Sequence, residues 1–201
     1  GASVSGLEDI AIGLNAGTGV KGTGDVAMGS SAGTSIGGDY NTSIGYQANS
    51  SNAAGDRSTA IGASTTAGSS GTALGYKANA GQNSISIGAD SSASDGNGVA
   101  IGMEATASGA NVALGYGSAV SSSDYSGTAY LTGTTATSAV SVGTSTSLRR
   151  IINVADGSNA NDAVNVKQLQ TAQESVAKLV GSTVTLNTST GEYDGGIVIK
   201  D

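Results

Sequence analysis

The sequence predicts an all-β solenoid, a chain wound into a parallel β-roll, with a short helix after it. Three observations carry this reading. A tripeptide of small residue, apolar residue and glycine recurs nine times in 201 residues. Glycine supplies 33 residues while Phe, Trp and Pro are absent, so bulky side chains for a thick core are missing. The residues before each glycine alternate large, small, large, which is the period-two signature of a short strand.

The repeat glycines are Gly13, Gly29, Gly45, Gly62, Gly75, Gly88, Gly102, Gly115 and Gly143. Their spacings are 16, 16, 17, 13, 13, 14, 13 and 28 residues, so the first units are longer and the last gap hides an insertion. A fixed period of this kind marks stacked supersecondary units. Immediately before each glycine stands Ile12, Met28, Ile44, Ile61, Leu74, Ile87, Ile101, Leu114 or Val142, and two positions earlier a β-branched residue such as Val26, Val99 or Val112. Between them sits Ala or Ser every time, for example Ala60, Ala73, Ser86, Ala100 and Ala113. A second alternation of small residues follows three and five positions after the glycine, as in Ala78 and Ala80 or Ala105 and Ala107. Each unit therefore carries two short strands joined by turns rich in Gly, Ser and Asn.

On this reading the large residues point into the roll. Val26, Ile61, Leu74, Ile87, Val99, Ile101, Val112, Leu114 and Val142 are the expected core. Ala60, Ala73, Ser86, Ala100 and Ala113 would then form a flat outer face that another chain can approach closely, and an obligate oligomer is expected. Disorder is the competing reading, but disordered chains are usually rich in charge and Pro, whereas charged residues are 11% here and Pro is zero.

After the repeats, Asn165 and Gln168 have the spacing of a helix capping box, and an apolar series begins at Leu169. Val166, Leu169, Gln173, Val176 and Val180 follow the 3, 4, 3, 4 spacing of a coiled-coil seam. Leu169, Ala172, Val176 and Leu179 offer a competing register, with Leu169 and Val176 common to both. Beyond Gly181, GSTVTLNTSTGEYDGGIVIKD reads as strand, turn, strand, with Thr190 and Gly191 near the turn. The insertion at about 119–138, with Tyr125 and Tyr130, is expected to project as a hairpin or loop.

The net charge of −7, with only eight Lys and Arg, excludes ordinary nucleic-acid binding, which needs clustered cations. No His and no Cys occur, which removes the usual catalytic triads, disulfides and most transition-metal sites. GTGVKG at 17–22 matches a dinucleotide fingerprint formally, but no βαβ unit surrounds it, so it reads as a solenoid turn. DGSNAND at 156–162 alternates oxygen ligands but lacks the terminal Glu of a calcium loop. No enzyme and no cofactor are expected. Tyr46, Tyr76 and Tyr116 each follow a repeat glycine and should lie along one line, where they either cover coil edges or contact a ligand.

GVAIGMEATASG at 98–109 resembles the head repeats of trimeric autotransporter adhesins, the YadA-like bacterial surface proteins. RRIINVADGSNANDAVNVKQL at 149–169 resembles the neck of the same family. The matching neck residues include Ile152, Asn153, Val154, Ala155, Gly157, Asp162, Ala163, Val164, Asn165, Val166, Gln168 and Leu169, while Asp156 departs from the usual Ala. The resemblance implies a left-handed roll, a homotrimer, and a neck leading each chain into a narrow coiled coil. Arg149 and Arg150 are expected to brace the neck through ion pairs that cross subunits, with ligand binding as the alternative.

The expected organisation is a head at 1–147, a neck at 148–165, a stalk segment at 166–180 and the start of a β module at 181–201. The implied function is attachment to host matrix or cell-surface molecules. The implied location is the bacterial surface, with an outer-membrane anchor outside these 201 residues. A trimeric phage tail fibre or purely structural fibre is the alternative, since NTSIGYQA at 41–48 also resembles fibre repeats, but fibres lack the DAVNVKQL transition.

Overall fold

The computed structural model describes residues 6–50, 55–127, 133–180, 184–187 and 189–194. Tyr130 and residues 195–201 lie outside them. The chain divides into two units, Gly1–Arg149 and Arg150–Asp201.

The first unit is a parallel β-solenoid. Nine short strands stack in one sheet in chain order: Ile10–Ile12, Val26–Met28, Thr42–Ile44, Thr59–Ile61, Thr72–Leu74, Ile85–Ile87, Val99–Ile101, Val112–Leu114 and Val140–Ser141. The register keeps equivalent repeat positions opposite each other, so Ala60 pairs Ala73, Ala73 pairs Ser86, Ser86 pairs Ala100 and Ala100 pairs Ala113. A second sheet of five two-residue strands, Thr66–Ala67, Asn79–Ala80, Ser92–Ala93, Thr106–Ala107 and Ala119–Val120, runs beside it. The expected two strands per unit are therefore present in the coils of 13 or 14 residues.

The repeat glycines are required by geometry. From Gly13 to Gly102, seven of them hold φ between 128° and 135°, a region that L side chains rarely adopt. A Cβ on Gly75 would lie 2.7 Å from the backbone of Gly88, and one on Gly88 would lie 2.5 Å from that of Gly102. The glycines thus form a column in which coils touch backbone to backbone.

The direction of the alternation is the reverse of the one expected. Ala60, Ala73, Ser86, Ala100 and Ala113 are completely buried inside the single chain, so they are the core and not an outer face. Leu74, Ile101 and Leu114 are exposed, and Val26, Ile61, Ile87, Val99, Val112 and Val142 are only half-buried, so the nine residues expected inside point outward. The physical reason is the narrow coil. The small residues three and five places after each glycine, such as Ala78, Ala80, Ala105 and Ala107, are also buried, and three inward columns leave room for little more than methyl groups. In the longer first coils the added space is filled by Val20 and Ile36, which pack on each other.

The second unit holds an α-helix, α1 (Val166–Val180), and a small antiparallel hairpin pairing Thr185–Leu186 with Tyr193–Asp194. The helix start is the expected capping box. The Gln168 backbone N–H donates to Asn165 Oδ1 at 3.1 Å, and the Asn165 N–H points at Gln168 Oε1 at 3.4 Å. The Tyr193 hydroxyl donates to the Gln173 carbonyl at 3.0 Å, and the Gln173 amide reaches the Gly191 carbonyl, tying the hairpin to the helix. Gln173, read from sequence as a seam residue, thus carries a contact within its own chain.

Candidate functional site

The structure presents three surfaces, two of them built by the repetition. The first is the outward face of the nine-stranded sheet. Because the register is kept coil after coil, Ile12, Met28, Ile44, Ile61, Leu74, Ile87, Ile101 and Leu114 form one continuous aliphatic row. Ile10, Val26, Ile85, Val99, Val112 and Val140 share a parallel row with Thr42, Thr59 and Thr72. Contiguous apolar area of this kind is unusual on a solvated surface and marks an interaction face.

The second surface is the line one residue beyond each glycine. The carbonyls of Tyr46 and Tyr76 accept the N–H groups of Ser64 and Asp90 in the following coils, which fixes their backbones in the stack. Tyr46, Tyr76 and Tyr116 are all more than half exposed, at 56%, 51% and 59%. Leu14 and Met103 occupy the same line and are also exposed. Lys77 places its ammonium 5.1 Å from the Tyr76 ring centroid, a cation–π contact.

The third surface is the neck and helix. Asn165 donates through Nδ2 to the Val154 carbonyl at 3.1 Å and to Asp156 Oδ1 at 2.7 Å. Gln168 grips Gly157 at both backbone atoms, accepting its N–H and donating to its carbonyl at 2.9 Å each. Lys167 pairs with Asp156 at 3.0 Å. Hydrogen bonds from Asn165 and then Lys167 hold the Asp156 carboxyl below the usual carboxylate range. Asp162 accepts the backbone N–H groups of Asn159 and Ser158, which lowers its carboxyl likewise and closes the DGSNAND loop on itself. Asn153 sits at a positive φ of 61°. Against this polar frame, Ile151, Ile152, Val164, Val166, Leu169, Val176 and Leu179 are largely exposed.

Arg149, expected as a subunit-crossing brace, makes its contacts within its own chain. It belongs to the first unit, whereas Arg150 begins the second. Its guanidinium donates to the Ser118 hydroxyl at 2.8 Å, to the Tyr116 carbonyl at 2.6 Å, and to the Val142 carbonyl. In earlier coils the equivalent of the Tyr116 carbonyl accepts a backbone N–H from the next coil. Arg149 therefore supplies the donors that a further coil would have brought, and closes an otherwise open edge.

Sequence reasoning passed over a further set of polar residues, those just before the strands. Asn41 Oδ1 accepts the N–H of Ser58 at 2.9 Å, Asp25 Oδ1 accepts that of Asn41 at 2.7 Å, and Asn111 Oδ1 accepts that of Ala139 at 2.7 Å. The signal for it was a side-chain oxygen at the same repeat position in Asp9, Asp25, Asn41, Ser58, Ser84 and Asn111. Among the described residues no group of three or more acidic side chains could hold a metal ion.

The first unit is thus a parallel solenoid of small-residue coils, and the second a capped helix with an exposed apolar stripe. Residues 150–192 match the coiled stalk of trimeric autotransporter adhesins. A stretch of 51 residues is 59% identical to the trimeric autotransporter adhesin AtaA of Acinetobacter sp. (strain Tol 5), covering 24% of this chain and 1% of that protein. The fold is similar to the crystal structure of the collagen-binding domain of the Yersinia adhesin YadA, with a TM-score of 0.62 and 27% identity over 83% of this chain and 85% of that one. The likeness to trimeric autotransporter adhesins read from the head repeats and neck is thus borne out by sequence and by structure.

Proposed function

We propose that these residues form the head, neck and first stalk turns of a bacterial surface adhesin that works as a homotrimer and attaches the cell to host matrix. The observation that carries this reading is the aliphatic face, which runs along the nine-stranded sheet of the first unit and is half-buried to exposed among the described residues. Three copies brought together through Ile12, Met28, Ile44, Ile61, Leu74, Ile87, Ile101 and Leu114 would bury it. The exposed Leu169 and Val176 support the same stoichiometry, because a 15-residue helix is marginal alone and gains stability when its apolar stripe is packed. The trimer interface proposed here therefore replaces the Ala and Ser face with the aliphatic one.

Matrix attachment rests on the likeness to a collagen-binding domain, so collagen is the first ligand to test. Tyr46, Tyr76 and Tyr116 are the proposed contacts, since each offers an exposed aromatic side chain with a polar tip on one line of the head, two and then three coils apart. Repetition across three chains lets weak contacts add up to useful avidity. A cell-surface location and an outer-membrane anchor elsewhere in the protein belong to the same proposal. The fibre alternative is disfavoured by the stalk match at 150–192.

Sedimentation equilibrium and a collagen plate assay test this together. The chain should sediment as a trimer, and Ile101→Asp, which puts a charge in the aliphatic row, should dissociate it. Tyr76→Ala combined with Tyr116→Ala should weaken attachment while leaving the trimer intact. A folded monomer in the unmodified chain overturns the architecture, and unchanged attachment in the double variant removes the tyrosines from the contact.

A further inference from the structure

Asp25 occupies a slot filled by an amide at Asn41 and Asn111, by a hydroxyl at Ser58 and Ser84, and by the carboxyl of Asp9 in the coil before, whose Oδ2 is also buried without a partner. At the two amides the geometry is explicit: Asn41 donates through Nδ2 to the Gly38 carbonyl at 2.9 Å, and Asn111 donates to the carbonyl of Ser108, again three residues back. Each side chain also uses its Oδ1 to accept an N–H from the next coil. Asp25 repeats the second contact through Oδ1, which accepts the Asn41 N–H. Its Oδ2 is buried with no hydrogen-bond partner, in a side chain that is only 2% exposed. That oxygen lies beside Gly22, where an added Cβ would come within 2.5 Å of it. The Gly22 carbonyl, equivalent to the carbonyls of Gly38 and Ser108, lies on the Leu7–Thr23 bridge facing the Leu7 N–H and has no side-chain donor among the described residues.

We propose that Asp25 is a neutral carboxylic acid in the folded head, taking a proton from water and donating it from Oδ2 to the Gly22 carbonyl. The proton does the work of the amide hydrogen in Asn41 and Asn111. When it leaves, two acceptors face each other in a buried slot, which is costly, and the coil around Asp25 loosens. The first coils of the head are then a proton-sensitive segment in a solenoid whose later coils carry no carboxylate at this position.

The surroundings favour the neutral form. Burial pushes the Asp25 carboxyl above the usual carboxylate range, against the hydrogen bonds from Asn41 that pull it down, and the charges of Asp9 and Asp39 push it further up. Asp9 precedes it and Asp39 follows it, each in the neighbouring coil, and the Tyr40 ring lies against Gly24 beside it. The sign follows from linkage. With the folded value raised above 3.8, the folded state binds more protons than the unfolded one, so stability is full at or below 3.8 and falls as pH rises through the folded value.

The test compares the trimer of the full chain with Asp25→Asn and Asp25→Ser, the second chosen because Ser58 and Ser84 stand naturally in the same slot. At pH 7.5, Asp25→Asn should melt higher than the unmodified chain, by about 2–4 °C or more. The difference should shrink toward pH 4. Hydrogen exchange at the Asn41 amide, corrected for its intrinsic pH dependence, should show opening that rises by up to about tenfold per pH unit in the unmodified chain and is flat in both variants. An infrared band of a protonated carboxyl, present at pH 5 and lost in Asp25→Asn and Asp25→Ser, would support the assignment independently of melting. Melting differences that do not change with pH would overturn it. So would stabilisation of the unmodified chain by calcium chloride but not of the variants, since the missing partner would then be a cation.

Discussion

Gly75→Ala is the sharpest perturbation of the solenoid. Gly75 holds φ at 131°, and its Cβ would lie 2.7 Å from both the carbonyl carbon and oxygen of Gly88. The obstacle is backbone, so no side chain can swing aside. The conformation alone costs about 1–3 kcal/mol for a residue with a Cβ. Relief of the contact requires separating two coils, which weakens inter-coil hydrogen bonds worth about 1 kcal/mol each. The Lys77 N–H to Ala63 carbonyl bond and the Gly88 N–H to Leu74 carbonyl bond, both within 2.8–2.9 Å, are the nearest of these. A total of about 2–5 kcal/mol per chain follows, and it should appear as a loss of about 5–15 °C in the melting midpoint. Gly37→Ala is the matched control, because a Cβ there meets nothing within 4 Å. Circular dichroism melting of both variants decides the matter. If Gly75→Ala melts within a degree or two of Gly37→Ala, the close backbone approach along the glycine column is not what holds the coils in register.

Three further outcomes are expected. Arg149→Ala should leave the middle coils intact but speed hydrogen exchange at the amides of the last coil, Ala119 and Val112 among them, because the Tyr116 and Val142 carbonyls lose their donor; uniform exchange changes throughout the head would contradict an edge-capping role. Asn41→Ala leaves the Ser58 N–H and the Gly38 carbonyl unpaired in a buried slot and should cost about 1–3 kcal/mol, read as a lower midpoint in urea unfolding. In the neck, the folded Asp156 carboxyl is held below 3.8, so its contribution is present above that value and is lost as pH falls through the folded one. The helical signal at 222 nm should therefore weaken in strong acid in the unmodified chain, and Asp156→Ala should reduce that dependence.

The strands, their register and the helix start were legible in the repeat spacing and in the Asn165 and Gln168 pair. The side each strand turns inward was not, because a period-two pattern is the same when reflected. Leu74 and Ala73 differ in size, and a globular protein would put Leu74 inside. The deciding clue lay in Ala78 and Ala80, since a coil whose other inward columns are also Ala and Ser has no width for leucine. Asp156 was read as a minor departure from the neck pattern, yet it accepts hydrogen bonds from both Asn165 and Lys167, a role visible only once the neck folds back on the helix start. The reach of Arg149 to Tyr116 spans 33 residues and an insertion, which no local spacing encodes.

The glycine column also makes the head a ruler. Adjacent strands lie about 4.8 Å apart, so the eight steps between the nine strands of the first unit amount to about 38 Å. Because Gly62, Gly75, Gly88 and Gly102 meet their neighbours through the same backbone contact, removing residues 76–88 would join Gly75 to Ala89 and rebuild an equivalent junction. The head would shorten by one graduation, with its outer rows otherwise in line. Reach can thus change in whole increments by duplication or loss of one coil, while the aliphatic and aromatic rows keep their pattern.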